Sequence, residues 1–267
     1  MYTTKLLERL KIDRSNPSRL PILASTVLKP RADDDIISED EVTVYRQIIG
    51  CTIYLANNTR PDISYDVGQL ARFMANPGAI HLTFAKQLLR YLSGTRTIGI
   101  VYSGPILDRR YSIYSDSTWG TEDDRVSFHG YAVVRYGGVV SWMAQRQKST
   151  AQSSMEAEII AANEGAKEAA WLEKITLDLH ETPQMPILRC DNLGRIDLMK
   201  DTKHHNKAKH IKIRYLYIRN DIVQRNKLQI EHIPSTEQLA DILTKQLPID
   251  GYCKHCISIG LDVSIAL

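Results

Sequence analysis

The segment YSIYSDSTWG, residues 111–120, opens with a period-two pattern in Tyr111, Ser112, Ile113, Tyr114 and Ser115. Such alternation marks a strand with one buried face, and it puts Asp116 near the strand exit with Gly120 just beyond. Downstream, 129–136 and 139–144 read as two more strands with Gly137 and Gly138 as the tight turn between them, so the first three strands form an antiparallel meander. A helical pattern over about 154–179, opened by Ser153 and Ser154, leads to the short apolar stretch Ile187, Leu188, Arg189 and Cys190. A helical crossover makes the first and fourth strands parallel neighbours, and residues 228–233 extend the sheet as a fifth strand. The expected fold class is α/β, a five-stranded mixed sheet with flanking helices, preceded by a small helical region.

Four acids fall at informative places on that frame. Asp116 leaves the first strand, Glu158 lies in the first turns of the long helix, and Asp191 directly follows the fourth strand. Asp241 lies in a helix announced by Ser235, Thr236, Glu237 and Gln238, with capping-box spacing from Ser235 to Gln238. Scattered acids are mostly solvated, so these become a site only if the fold gathers them. The topology does this for two of them, because Asp116 and Asp191 exit adjacent strands at the same edge, where ligands of open α/β sheets collect. Carboxylates so gathered suit two hard cations about 3.5–4 Å apart, the arrangement that cleaves phosphodiesters. Glu156 competes with Glu158 for the helical position. The row Glu158, Ala162, Gly165, Ala169, Leu172 is small and apolar, suited to packing on a sheet, whereas Glu156, Ile160, Asn163, Lys167, Lys174 turns polar and is expected to face solvent.

The segments YSDSTWG (114–120), VSWMAQRQKSTAQSSMEAE (140–158), CDN (190–192), KHIKIRY (209–215) and EQLADILTKQLP (237–248) together resemble the RNase H domain that ends the Pol polyprotein of copia-type retrotransposons. Each motif is weak alone; their order and spacing over half the chain are specific. The resemblance implies an RNase H-like fold, with Asp116, Glu158, Asp191 and Asp241 as catalytic, metal-holding acids for two magnesium ions, manganese substituting. It further implies hydrolysis of the RNA strand of an RNA:DNA hybrid. Asn192, His205, Lys207, Lys209, His210, Lys212 and Arg214 are the expected nucleic-acid contacts, and the rest of the Pol polyprotein is the expected protein partner. The pattern departs from the family at Leu216, where a histidine is usual. It also lacks a histidine in the loop before the last acid, where Pro234, Ser235 and Thr236 stand and His232 lies on the preceding strand.

Charge distribution agrees with a nucleic-acid substrate. The net charge is only +3, but residues 189–229 hold eleven Lys and Arg against four Asp, a local excess of seven positive charges suited to a phosphate backbone. His204, His205 and His210 fall in this stretch; without a nearby cysteine or acid they read as phosphate-contacting loop or solvated surface rather than a zinc site.

Ahead of the sheet, helical patterns cover 42–56, 61–74 and 81–92. Segments YRQIIGCTIYLANNTRPDISYDVGQLARFM and LLRYLSGTRTIGIVYS resemble the thumb and connection that precede RNase H in the same polyproteins. The expected division is 1–28 as a polymerase thumb remnant, 29–41 as an acidic flexible linker, 42–105 as the helical thumb/connection, 106–248 as the RNase H-like domain and 249–267 as a C-terminal tail. A polymerase site needs paired aspartates on a tight turn between apolar strands. Asp33 to Asp35 lie in the charged linker and Asp123–Asp124 at a polar hairpin tip, so polymerase activity is expected to be absent and the chain to be a Pol fragment or truncated reading frame.

With 267 residues and 43% hydrophobic content, the chain can bury one or two cores. No apolar run approaches the ~20 residues that span a bilayer. The start MYTTKLLERLKIDR lacks the apolar core of a secretory signal. The expectation is an intracellular protein, in a cytoplasmic particle or the nucleus, with no membrane partner. Cys51, Cys190, Cys253 and Cys256 form no disulfide framework for a reducing compartment. Cys253 and Cys256 make a CxxC around His255, but with no second ligand pair it reads as a coincidental tail helix rather than a zinc site. Two other classes share features with this reading. A transposase or integrase core has the same fold but ends its acid set on a glutamate, and a retroelement relic could bind nucleic acid or Pol without cutting.

Overall fold

The computed structural model describes residues 2–12, 16–23, 27–103, 109–118, 127–147, 153–200 and 227–263. Two compact units emerge. The first comprises Met1–Ile100, Lys245–Ile257 and Leu261–Leu267; the second comprises Val101–Thr244 and Ser258–Gly260.

The second unit is built on a five-stranded sheet of β1 (Ser112–Thr118), β2 (Phe128–Arg135), β3 (Gly138–Arg146), β4 (Ile187–Cys190) and β5 (Gln229–His232). Its strand order is β3-β2-β1-β4-β5. The pairs β1–β2 and β2–β3 are antiparallel, whereas β1–β4 and β4–β5 are parallel. This is the expected RNase H-like arrangement. Two local readings are corrected. β1 runs on to Thr118, because β2 pairs with it through Thr118↔Phe128, so Asp116 lies inside the strand rather than at its exit. The β2–β3 turn is centred on Tyr136 and Gly137, both with positive φ (56° and 78°), and Gly138 already pairs with Arg135. Positive φ at both central positions is what the right-handed strand twist demands of a two-residue hairpin.

Helix α5 (Ser154–Asp178) is the crossover. Ser153 starts it by accepting a hydrogen bond from the Glu156 N–H at 3.2 Å, which satisfies one of the orphan donors of the first turn. Ala162, Ala166, Ala169 and Leu172 then pack on Tyr111, Ile113, Tyr131, Val133 and Leu188. Gly165 permits this close approach, since a Cβ there would come within 2.8 Å of Ile113 Cγ2. The row that begins at Glu158 thus faces the sheet. The row from Glu156 is not solvent-facing as its composition implied: Ile160 and Asn163 are buried, and only Lys167 and Lys174 are exposed. The N-terminal half of α5 is enclosed on both sides, and its polarity pattern reports only the exposed C-terminal half.

The first unit contains α1 (Tyr2–Arg9), α2 (Glu39–Asn58), α3 (Ser64–Ala71) and α4 (Ala79–Gly94). Here the acidic linker is redrawn. Glu39, Asp40 and Glu41 form the first turn of α2, where negative charge meets the positive end of the helix dipole. Ser38 and Glu41 make a reciprocal capping box, with Ser38 N donating to Glu41 Oε2 at 2.9 Å and Glu41 N donating to Ser38 Oγ at 3.3 Å. Asp35 accepts from the Ala79 N–H at 3.1 Å and so caps the start of α4. A Cβ at Gly78 would meet the Asp35 carboxylate, which would have to shift to make room.

The expected tail helix is present. Residues Ile249–Ser258 form it as α7, following α6 (Leu193–Lys200), and its Tyr252, His255 and Cys256 are buried. The anchor is a buried polar knot. Arg60 forms a two-pronged pair with Asp62, at 2.9 Å from Nε to Oδ1 and 2.7 Å from Nη2 to Oδ2. Tyr91 donates its hydroxyl to Asp62 Oδ2 at 2.7 Å, and the Tyr252 hydroxyl donates to the Asp62 carbonyl at 3.2 Å. Burial would by itself lower the Arg60 pKa, but the charge of Asp62 raises it above its ordinary range. Cys256 packs into this knot as a free thiol, pushed well up by burial and then by the Asp62 charge. The CxxC spacing therefore reflects one thiol turned into the core of the helical unit.

Candidate active site

Asp116 lies in β1, and Asp191 directly follows β4, the parallel neighbour of β1. β1 and β4 pair residues that differ by a constant 75 positions, as in Ser112↔Ile187 and Tyr114↔Arg189. The pairing ends at Tyr114↔Arg189, two residues before Asp116 and Asp191, which follow on neighbouring strands of a kind that lie about 4.8 Å apart. Asp116 is buried and Asp191 partly so.

Asp241 reaches the same region on a different element from the one expected. Instead of an α-helix with a Ser235 capping box, the chain forms two 3-10 turns, Ser235–Glu237 and Leu239–Leu243, and the side chain of Gln238 caps the second by accepting from Ala240 N at 3.4 Å. Asp241 is buried in that second turn. The turn lies against the face of the sheet opposite α5. Gly130, the cross-strand partner of Asp116, makes room for it: a Cβ at Gly130 would meet Leu243 Cβ and the Met143 carbonyl at 2.8 Å. Thr244, which ends the turn, donates its hydroxyl to Asp116 Oδ2 at 2.5 Å.

Glu158 enters from α5 on the other face, half-buried in the second turn of the helix. The start of that helix is held by Gln147, whose Nε2 donates to the Ala157 carbonyl at 3.0 Å. Around this end of the sheet, Ser115 Oγ, Ser117 Oγ, Ser127 Oγ and Asn163 Oδ1 are buried without a hydrogen-bond partner among the described residues. Three acids are therefore positioned by the sheet and its 3-10 turn, and the fourth by the helix that crosses over it. Among the described residues, no group of three or more His, Cys, Asp or Glu side chains is placed so that it could hold a metal ion.

The expected nucleic-acid contacts divide differently. Asn192 is exposed, and its carbonyl accepts from Ile196 N at 3.1 Å, opening α6. His205, Lys207, Lys209, His210, Lys212 and Arg214 lie outside the described residues, as do His204 and the hairpin tip with Asp123 and Asp124. Arg189 is withdrawn from the basic set: Nη1 lies 3.4 Å from Glu231 Oε2, its cross-strand neighbour, and the guanidinium lies 6.0 Å from the Tyr114 ring centre. Thr244 was given no role by sequence reasoning. Its signal was its place three residues after Asp241, one 3-10 turn on, where the two side chains share a face.

No family model matches the chain. It is similar to the Retrovirus-related Pol polyprotein from transposon TNT 1-94 of Nicotiana tabacum, 34% identical over 264 residues, covering 96% of this chain and 20% of that protein. It is similar also to the Retrovirus-related Pol polyprotein from transposon RE1 of Arabidopsis thaliana, 36% identical over 263 residues, covering 97% of this chain and 18% of that one. The chain thus spans about a fifth of the length of the curated relatives it matches. Among solved structures, LC11-RNase H1, isolated from compost, matches with a TM-score of 0.41 at 16% identity, over 51% of this chain and 93% of that one.

Proposed function

Because this chain belongs to the Pol polyprotein family of copia-type retrotransposons, we propose that its sheet-containing unit is a ribonuclease that cuts the RNA strand of RNA:DNA hybrids. In this reading Asp116, Glu158, Asp191 and Asp241 hold two magnesium ions, with manganese a substitute. The observation that supports it is the parallel β1–β4 pairing, which runs to within two residues of Asp116 and Asp191, together with the bond from Thr244, at the end of the turn bearing Asp241, to Asp116. The donor set is all carboxylate oxygen, which suits small hard cations and disfavours zinc. When bound, such ions supply an activated water and stabilise the leaving oxygen.

The protein's own part is positional. The sheet and the 3-10 turn hold three carboxylates in place before substrate arrives, and α5 brings the fourth from the opposite face. The lysine-rich segment after β4 holds the phosphate backbone, and recognition rests on groove shape and 2'-hydroxyls more than on base identity. No polymerase role is assigned to this chain. Asp35 is engaged in capping the start of α4, which removes the Asp33–Asp35 run from consideration. No helix among the described residues is long and apolar enough to cross a membrane. The setting proposed is a cytoplasmic particle or the nucleus, beside the remaining Pol segments.

Incubating the full chain with end-labelled RNA:DNA hybrid tests this directly. Cleavage should appear with magnesium or manganese, vanish in excess chelator, and spare single-stranded RNA and duplex DNA. Equal cutting in chelator would overturn the metal assignment, and metal-independent hybrid binding without any cutting would favour a silent binding module. A second measurement addresses the basic segment. Replacing Lys207, Lys209 and Lys212 together by Ala should weaken hybrid binding and flatten its log–log salt dependence by roughly 0.7–0.9 for each phosphate that is no longer neutralised. An unchanged slope places the nucleic acid elsewhere.

A further inference from the structure

We propose that Thr244 is the positioning residue of the candidate site, fixing the Asp116 carboxylate for cation binding by bridging it to the turn that carries Asp241. This rests on the nuclease reading above and adds to it a residue outside the four acids.

Thr244 is fully buried and ends the Leu239–Leu243 turn, its backbone N–H donating to the Asp241 carbonyl at 3.2 Å. Its hydroxyl has three acceptors in reach: Asp116 Oδ2 at 2.5 Å, the Ala240 carbonyl at 3.3 Å and the Asp241 carbonyl at 3.4 Å. A hydroxyl has one proton, and the shortest contact, to the carboxylate, takes it. Thr244 therefore ties Asp116, on β1, to the backbone of Asp241, which is 125 residues away in sequence. The bridge runs from the Asp116 carboxylate to the Asp241 backbone through a neutral side chain that adds no charge. The bond engages Oδ2 of Asp116 from the side of the turn and so fixes the plane in which the carboxylate presents itself to a cation. Gly130 supports the arrangement by letting the turn lie flat on the sheet next to Asp116.

The side chain can be dissected with small changes. Thr244→Val keeps the volume and removes the donor; Thr244→Ser keeps the donor; Thr244→Ala removes both donor and bulk. Mn²⁺ binding to the full chain, followed by electron paramagnetic resonance, is compared with wild type and with Asp116→Asn, and thermal melts by circular dichroism are run on each. Thr244→Val and Thr244→Ala should weaken the Asp116-dependent Mn²⁺ site by about 10–100-fold, the range for outer partners of metal ligands, with Thr244→Ser close to wild type. In hybrid cleavage the magnesium needed for half-maximal rate should rise in parallel while KM for hybrid changes little. Wild-type Mn²⁺ affinity in Thr244→Val or Thr244→Ala overturns the assignment. So does a Thr244→Ser as weak as Thr244→Ala, since the hydroxyl is then not the cause. If Thr244→Val does not fold, the Ser and Ala pair decides; if Val and Ala both fail to fold while Ser folds, the hydroxyl is structural and the assignment is overturned. Mn²⁺ binding that is absent, or unaffected by Asp116→Asn, removes the metal role of Asp116 itself, and Thr244 loses its role with it. A site lost in Asp116→Asn but intact in Thr244→Val defeats the Thr244 assignment alone.

Discussion

Glu158→Gln should lower the rate of hybrid cleavage by about 10³-fold, the order expected when one electrostatic contact to the reacting centre is removed, while Glu156→Gln leaves most of the activity. Residues two apart on a helix diverge by about 200°, so both cannot face one pair of cations. The packing of α5 separates them. Glu158 heads the row whose Ala162, Ala169 and Leu172 lie in the core cluster with β1 and β2, and Gly165 touches Ile113 directly. Ile160 and Asn163, on the Glu156 row, are buried but outside that cluster. Burial alone therefore does not discriminate between the two glutamates; contact with the strands that bear Asp116 and Asp191 does. Glutamine preserves shape and removes one charge, so circular dichroism should be unchanged. At position 156 the change removes a favourable charge near the helix N-terminus, worth about 0.3–1 kcal/mol of stability. An inactive Glu156→Gln beside an active Glu158→Gln would reverse the facing of the helix.

Asp62→Asn should destabilise the helical unit by about 3–5 kcal/mol, because it strands the buried Arg60 guanidinium without its counter-charge. Arg60 is 2% exposed and Asp62 1%, so water cannot stand in for the missing carboxylate. Tyr252→Phe, which removes one hydroxyl from the same knot, should cost only about 1 kcal/mol. Asp66 provides a contrast within the same unit. Its carboxyl is pushed up to about 8, by burial and then by the Asp62 charge, so the folded protein keeps it protonated where the unfolded chain does not. Folding then takes up a proton between about pH 4 and 8, and stability falls across that window by up to about 1.4 kcal/mol per pH unit before levelling off. Asp66→Asn should remove that slope. Urea unfolding followed by far-UV circular dichroism at several pH values measures all three variants, and an unchanged midpoint for Asp62→Asn would show the ion pair to be dispensable.

The order and type of the sheet elements were legible because they rest on local periodicity. Alternation in 111–115, the long helical pattern from 154 and the short apolar run at 187–190 each bury a face set by spacing alone. The crossover rule then made β1 and β4 parallel neighbours. Readings that depended on distant partners went astray. Glu39 to Glu41 looked like linker because charge runs are usually solvated, yet Ser38 and the dipole of α2 recruit them. Residues 249–258 read as a tail helix, but nothing local shows that its Tyr252 will meet Asp62, 190 positions earlier. Asp241 was placed on an α-helix by a capping-box spacing, but Gln238 caps a 3-10 turn instead.

Residue types and spacing alone thus settled the strand sequence and the crossover, since each is a property of a few consecutive side chains and the backbone period they favour. Which oxygen of Asp116 meets which donor and where the last helix goes are pairwise facts about groups tens to hundreds of residues apart. Those were decided only when close packing brought Gly130 under Leu243, Gly165 onto Ile113 and Thr244 onto Asp116. Contacts of that kind are chosen by the shape of the whole core, which no local pattern encodes.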